Sequence, residues 1–251
     1  MSYNIRFGGR GRESRLSNVI GAVSPDLVVF QEATDPSVIE GLARTNGFPQ
    51  WAAQPAHSIA YMSRIEVAHH EWHYPLGARH SFLEMRLAGS EARIFGLHLT
   101  ARFSKWSERR RASEIRALLD GIKQHQAGFH VLVGDFNTLA PGELLDVRRM
   151  PYWIRALIWI SGRDIQRETI QVMLDAQYVD GYRVLYPEEK GYTFPTWDPH
   201  LRLDYLFLPA RYRRRLLELQ VIREAAEVAT ASDHFPFLAQ LDVADVDEQT
   251  L

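Results

Sequence analysis

Short runs of aliphatic and aromatic residues alternate along the chain with stretches in which apolar positions recur every three or four residues. The first pattern predicts strands and the second amphipathic helices. "YNIRF" (3–7) and "LVVFQE" (27–32) read as strands on either side of a helix, "SRLSNVIGAV" (14–23), which "SPD" stops. A second helix, "PSVIEGLARTNG" (36–47), carries Gly47 as its C-terminal cap. "SIAYMSR", "SFLEMRL" and "ARIFGLHLT" are three strands of an antiparallel stretch. Residues 107–122 form the clearest helix, with Ile115, Leu118, Leu119 and Ile122 on one face and Glu108, Arg109, Arg110 and Arg116 on a polar one. "FHVLVGDFN" (129–137) is a buried strand ending in a polar turn, and residues 143–176 read as mostly helical. "GYTFPTWDPHLRLDYLFLP" passes through a loop into a strand, "YRRR" (212–215) is a solvated turn, and "LLELQVIRE" and "FPFLAQLDV" close the sheet. No repeat or long linker divides the pattern, so residues 1–243 are expected to form one domain, followed by a frayed tail, 244–251.

Polar side chains break this pattern at strand ends: Asn4, Glu32, His98, Asp135 with Asn137, Asp204, and Asp233 with His234. Taken singly, an Asp at a strand end is more often a turn former and a lone His a satisfied core residue. A carboxylate inside a run such as "RLDYLFLP" nevertheless costs free energy unless it is paired. In α/β sheets ligand groups gather where strands end, so these residues can converge from far apart in sequence. Together they suit hydrolysis of a phosphate ester with Mg²⁺ or Mn²⁺, which hard oxygen ligands hold, while a carboxylate orients water and imidazole or amide groups meet the developing charge.

Composition narrows this only slightly. The 251 residues are 46% hydrophobic and 24% charged with a net charge of -2, which gives no global pull toward nucleic acid or an anionic membrane. The absence of cysteine excludes disulfides and thiolate metal sites and suits a reducing, cytoplasmic setting. No run reaches the roughly 18 apolar residues of a membrane span, and "MSYNIRFGGRGRESR" contains no signal-peptide core. Met1 falls almost on the first strand, so a start a few residues upstream remains open. A monomer is expected.

The ordered series "SYNIR", "QE", "GLHL", "GDFN", "RLDYLF" and "SDHFPF", spanning residues 3 to 237, closely resembles the endonuclease/exonuclease/phosphatase superfamily. Its members include pancreatic deoxyribonuclease, abasic-site endonucleases, neutral sphingomyelinases and inositol polyphosphate 5-phosphatases. The resemblance implies an α/β (α+β) four-layer sandwich, two mixed β-sheets packed face to face with helices on both outer faces. It also implies roles, residue by residue. Glu32 is the principal metal ligand, with Asn4 beside it and Asp233 as the second acidic group near the metal. Asp135 orients or deprotonates the attacking water, and Asn137 steadies the phosphoryl group. His234 donates to the phosphate and is hydrogen-bonded by Asp204, which places the two within roughly 2.6–3.2 Å. His98 matches a second histidine of the deoxyribonuclease and sphingomyelinase branches that assists the leaving group, a feature that tilts away from abasic-site endonucleases. The carboxylate that partners this histidine elsewhere in the family has no clear match, since Glu66, Glu84 and His57 are only neighbours in sequence.

Substrate choice falls to three loops, 101–111, 141–164 and 193–200. Arg102, Trp106 and Trp197 are the expected substrate contacts, whereas Arg109, Arg110 and Arg111 are expected on a solvated helix face. "YWIRALIWI" places Trp153, Ile154, Leu157, Ile158 and Trp159 on a helix apolar nearly all round, suited to packing or, if exposed, to a lipid tail. A nucleic-acid phosphodiester is the expected substrate, with a phospholipid head group or small phosphorylated molecule as the alternative. A non-catalytic scaffold would be expected to have lost at least one of Glu32, Asp135 and His234.

Overall fold

The computed structural model describes residues 1–101, 104–143, 146–149, 152, 155 and 167–244. Arg102, most of the 151–160 helix and the tail from 245 lie outside these. Two mixed six-stranded sheets pack face to face. The first contains β1 (Ser2–Asn4), β2 (Leu27–Gln31), β3 (Gln50–Ala52), β4 (Ala60–Ser63), β11 (Leu216–Val221) and β12 (Phe237–Leu241), ordered β11-β12-β1-β2-β4-β3. The second contains β5 (Val67–His73), β6 (Phe82–Leu87), β7 (Arg93–His98), β8 (His130–Asp135), β9 (Tyr178–Asp180) and β10 (Asp204–Pro209), ordered β5-β6-β7-β8-β10-β9. One parallel pair sits inside each sheet, β1 with β2 and β7 with β8.

Strand alternation builds three apolar layers. Tyr3, Ile5, Val28 and Phe30 face outward onto α1 (Glu13–Val23) and α2 (Pro36–Thr45), meeting Leu16, Val19, Ile20, Ile39 and Leu42. Phe95, Leu97, Leu132, Tyr205 and Phe207 face the other way onto α3 (Lys105–Gly121) and α4 (Glu168–Asp175). Val29, Ile59, Leu83, Val131, Val133, Leu206 and Leu208 fill the space between the sheets. The same parity turns Asn4, His98, Asp135 and Asp204 toward the gap between the sheets, at the ends where that gap opens. The sheets approach closely at Gly96, where a Cβ would stand 2.6 Å from Val29.

Two expectations are corrected. Strand β1 stops at Asn4 rather than residue 7, because Arg6 and Phe7 adopt left-handed backbone angles (φ 51° and 47°) and turn the chain. Glu108 and Arg111 are interior groups. Glu108 accepts from Arg111, from Thr138 Oγ1 at 2.8 Å and from the Thr169 amide at 2.8 Å, tying α3 to α4 and to the segment after β8. Among the described residues no helix is long and apolar enough to cross a membrane.

His130 shows how burial sets charge in this core. Its Nδ1 donates to Gly128 O and its Nε2 accepts from Tyr178 Oη at 2.6 Å, so the ring is held neutral. Burial lowers its pKa from 6.5 to about 4. The unfolded chain therefore takes up this proton first, and stability is lost as pH falls from 6.5 toward 4, by up to roughly 3 kcal/mol. Urea titrations should show His130→Gln with a flatter acid limb than wild type; parallel limbs would reject this assignment.

Candidate active site

Strands β1, β7, β8 and β10 each bring one polar side chain, Asn4, His98, Asp135 and Asp204, to the open end of the gap. Asn4 closes β1 and Glu32 follows β2 directly, in a left-handed conformation (φ 57°). Asp135 closes β8, and Asn137 follows it with φ 52°. A non-glycine residue in this region costs of order 1–3 kcal/mol and persists where surrounding contacts fix it. Here they do. Glu32 N donates to Ser58 Oγ at 3.1 Å and its carboxylate accepts from the Phe7 amide at 2.7 Å. Asn137 N donates to Asp135 Oδ1 at 2.8 Å, and Asn137 Nδ2 donates to Leu99 O at 3.0 Å.

Register does the rest. Within the second sheet, His98 is level with Asp135 across the parallel β7–β8 pair, and Asp204 is level with Asp135 across the antiparallel β8–β10 pair. Gly134 allows this close pairing: its φ is 147°, and a Cβ there would lie 1.9 Å from Leu97 O. Three hydrogen bonds then stitch one sheet to the other. Asn4 Nδ2 donates to Asp135 Oδ2 at 3.0 Å and also reaches Glu32 Oε1 at 3.3 Å. His234 Nδ1 lies 2.8 Å from Asp204 Oδ2, and His98 Nδ1 lies 2.5 Å from Ser58 Oγ. The two imidazoles point the same way, with Nε2 of His98 3.7 Å and Nε2 of His234 3.9 Å from Asp135 Oδ2.

Burial and neighbours tune these groups apart. Burial, reinforced by the Asp204 charge, raises the Asp135 carboxyl from 3.8 to about 7. Burial opposes the His234 cation, but the charge and hydrogen bond of Asp204, with Asp135 and Asp233 nearby, outweigh it and raise the ring to about 10. Burial lowers His98 to about 4. One imidazolium and one neutral imidazole therefore flank one reluctant carboxylate.

Asp233 sits at the edge of the cluster, its Oδ2 3.3 Å from Arg6 Nε. Phe194 packs over His234 with ring centroids 4.8 Å apart, and Trp197, 68% exposed, meets Phe194 edge-on at 6.2 Å. Trp106, at the start of α3, is 81% exposed. Asp204, His234, Asp135, Asn4, Glu32 and His98 thus meet in one place, with Asn137 and Asp233 bordering it. Among the described residues no hydrogen bond, ion pair or ring contact joins Trp106 to that cluster. Of the sequence neighbours considered for His98, Glu84 pairs instead with His73 and Arg93.

Sequence reasoning missed three contributors. Ser58 lies in a run with no distinguishing pattern. Arg6 was read as part of a strand. Arg202, fully buried before β10, is gripped by Asp180 through two bonds, at 2.8 and 2.5 Å, and by Glu143 at 2.8 Å, which anchors the segment that carries Asp204. The apolar run around Arg202 was the available signal, since an arginine there requires buried acidic partners.

Asp135, Asp204 and His234 offer ligand atoms within 4.8 Å of one another, a grouping able to hold a metal ion. Asp204 and the His234 Nδ1 are already spent on each other, which leaves the Glu32 carboxylate, joined to Asp135 through Asn4, as the oxygen donor beside the cluster for a hard cation.

The profile of the Endonuclease/Exonuclease/phosphatase family matches residues 1–234. No curated protein matches the chain by sequence. Among solved structures, the chain is similar to the 3' phosphatase NExo from Neisseria bound to a product DNA hairpin: 20% identity, TM-score 0.73, covering 96% of this chain and 98% of that one. An AP endonuclease from Archaeoglobus fulgidus has 16% identity and TM-score 0.72, covering 96% and 98% respectively. A humanized D. rerio TDP2 has 18% identity and TM-score 0.65, covering 94% and 95%.

Proposed function

The chain belongs to the endonuclease/exonuclease/phosphatase family of phosphoester hydrolases, and from that premise we propose that it cleaves phosphodiester bonds in nucleic acid by in-line attack of water. The observation that carries the chemistry is the convergence on Asp135 of an amide shared with Glu32 and of two imidazole Nε2 atoms, at 3.7 and 3.9 Å. A hard divalent cation fits this donor set: carboxylate oxygens crowd together, and burial with the Asp204 charge holds the Asp135 proton up to about 7. Glu32 and Asn4 would hold Mg²⁺ or Mn²⁺, with Asp233 beside them. Bound there, the ion supplies Lewis-acid polarisation of a phosphoryl oxygen.

The protein groups do the remaining work. Asp135 accepts the proton of the attacking water. His234, kept cationic by Asp204, donates to the phosphoryl oxygens as charge builds on them. Asn137 steadies the phosphoryl group, and His98 donates from Nε2 toward the leaving oxygen. The nucleic-acid reading is supported by the DNA-bound Neisseria relative and by the exposed aromatic rings of Trp197 and Trp106, which suit base stacking.

A metal-dependent activity panel tests this. It should cover single- and double-stranded DNA, abasic DNA, RNA, sphingomyelin and inositol phosphates. EDTA should abolish turnover and Mg²⁺ or Mn²⁺ should restore it, with a nucleic acid the best substrate. Turnover indifferent to chelation would reject the mechanism, and turnover confined to head-group esters would reject the nucleic-acid assignment.

A further inference from the structure

The two imidazoles that aim Nε2 at Asp135 are gripped at Nδ1 by groups of opposite demand. Asp204 can only accept, so Nδ1 of His234 must carry a hydrogen. Ser58 is different. Its hydroxyl already accepts the Glu32 amide hydrogen at 3.1 Å, and its own hydrogen has one acceptor among the described hydrogen bonds, Nδ1 of His98 at 2.5 Å. A neutral imidazole carries one N–H. If Nδ1 accepts, that hydrogen sits on Nε2. At 3.7 Å from Asp135 Oδ2 this donor is beyond hydrogen-bond distance and remains available to a substrate oxygen. His80 stacks over the ring at 6.1 Å with a 21° interplanar angle, while Glu114 holds His80 and the Thr100 amide. His80 thus flanks one face of the ring.

We propose that Ser58 is a positioning residue that fixes His98 with a bare Nδ1 and its ring hydrogen on Nε2, so that the ring presents an N–H donor to the leaving oxygen. The inference rests on the reading of His98 as the group that serves the leaving oxygen. Where the family resemblance led us to expect a carboxylate, this chain uses a hydroxyl. A carboxylate would demand a hydrogen on Nδ1 and favour a second imidazolium. The hydroxyl can instead donate to Nδ1, leaving the ring's single hydrogen on Nε2.

Long-range ¹H–¹⁵N spectra of the wild-type protein, which distinguish bare from protonated ring nitrogens, should show His98 with a bare Nδ1 and a protonated Nε2. Ser58→Ala should lower kcat on an oligonucleotide by about tenfold, below the usual cost of removing a hydrogen-bond donor to developing charge because only its orientation is lost. KM should stay unchanged, and Ser58→Thr, which keeps the hydroxyl, should retain the activity. On bis(4-nitrophenyl) phosphate, whose leaving group needs no proton, the loss from Ser58→Ala should nearly vanish. In a His98→Ala background Ser58→Ala should add little, whereas any effect transmitted through Glu32 would persist there. A protonated Nδ1 in the wild-type spectrum, or equal losses in both backgrounds, would overturn the proposal. Absence of turnover on every phosphoester would sink the functional reading instead, and the ring-nitrogen spectrum would still decide the role of Ser58.

Discussion

Asp135→Asn is expected to lower turnover by about a thousandfold or more while leaving the protein at least as stable as wild type in EDTA. The two halves of this expectation share one cause. Asp135 is almost fully buried, stands level with Asp204, and has its carboxyl raised from 3.8 to about 7. Ionising it in the folded state is therefore costly. The unfolded chain gives up this proton near 3.8 and the folded chain only near 7, so stability falls as pH rises through that window. Asparagine keeps the shape and removes that charge, together with the capacity to take a proton from water. Melting curves between pH 4 and 7 in EDTA should show the wild type losing stability relative to Asp135→Asn as pH rises. A variant less stable than wild type at pH 7, or one that still turns over substrate, would refute the assignment.

Asp204→Asn should be the second severe variant, with turnover down by roughly a hundredfold to ten-thousandfold and stability reduced as well. The carboxylate holds His234 at 2.8 Å and keeps its ring cationic to about 10 against the opposing effect of burial. Stability from this raised histidine is fully present below 6.5 and lost as pH rises through about 10. Without that anion only Asp135 and Asp233 are left to favour the buried imidazolium against desolvation, and breaking such a pair costs about 3–5 kcal/mol. The alkaline limb of the pH–rate profile should move to lower pH in the variant. An unchanged limb would show that Asp204 does not act through His234.

Most of the strands that carry the site were legible because each combines a strong apolar run with an abrupt polar end. "VLVGDFN" and "RLDYLF" announce their position by that contrast. That Asp204 needs a partner is legible in its apolar run, and the family resemblance points to His234, thirty positions on, as that partner. What escaped is what sequence periodicity does not encode. Strand β5, "VAHHEWH", pairs along one side only and leaves His69, His70 and Glu71 to solvent, so its polarity resembles a loop. Strands β3 and β9 have three residues each, too few to show alternation. Glu108 and Arg111 were assigned to water by residue type. Their phase was the better guide, since 108, 111, 115 and 118 fall on one helical stripe and all four are buried. Ser58 offered no contrast of any kind, because its meaning comes from a register between two sheets.

The division of the site between those sheets has a further consequence. Asn4 closes a strand of one sheet and Glu32, Ser58 and His234 lie in segments flanking its strands, while His98, Asp135 and Asp204 belong to the other, with Gly96 against Val29 at a point of close approach. The pair of sheets works as a caliper whose jaws are the reacting groups. A methyl group inserted at the pivot, or any swelling of the aliphatic filling, opens the jaws by fractions of an ångström long before the fold is lost. Residues that never touch substrate are thereby held to a tolerance set by phosphorus chemistry rather than by stability alone.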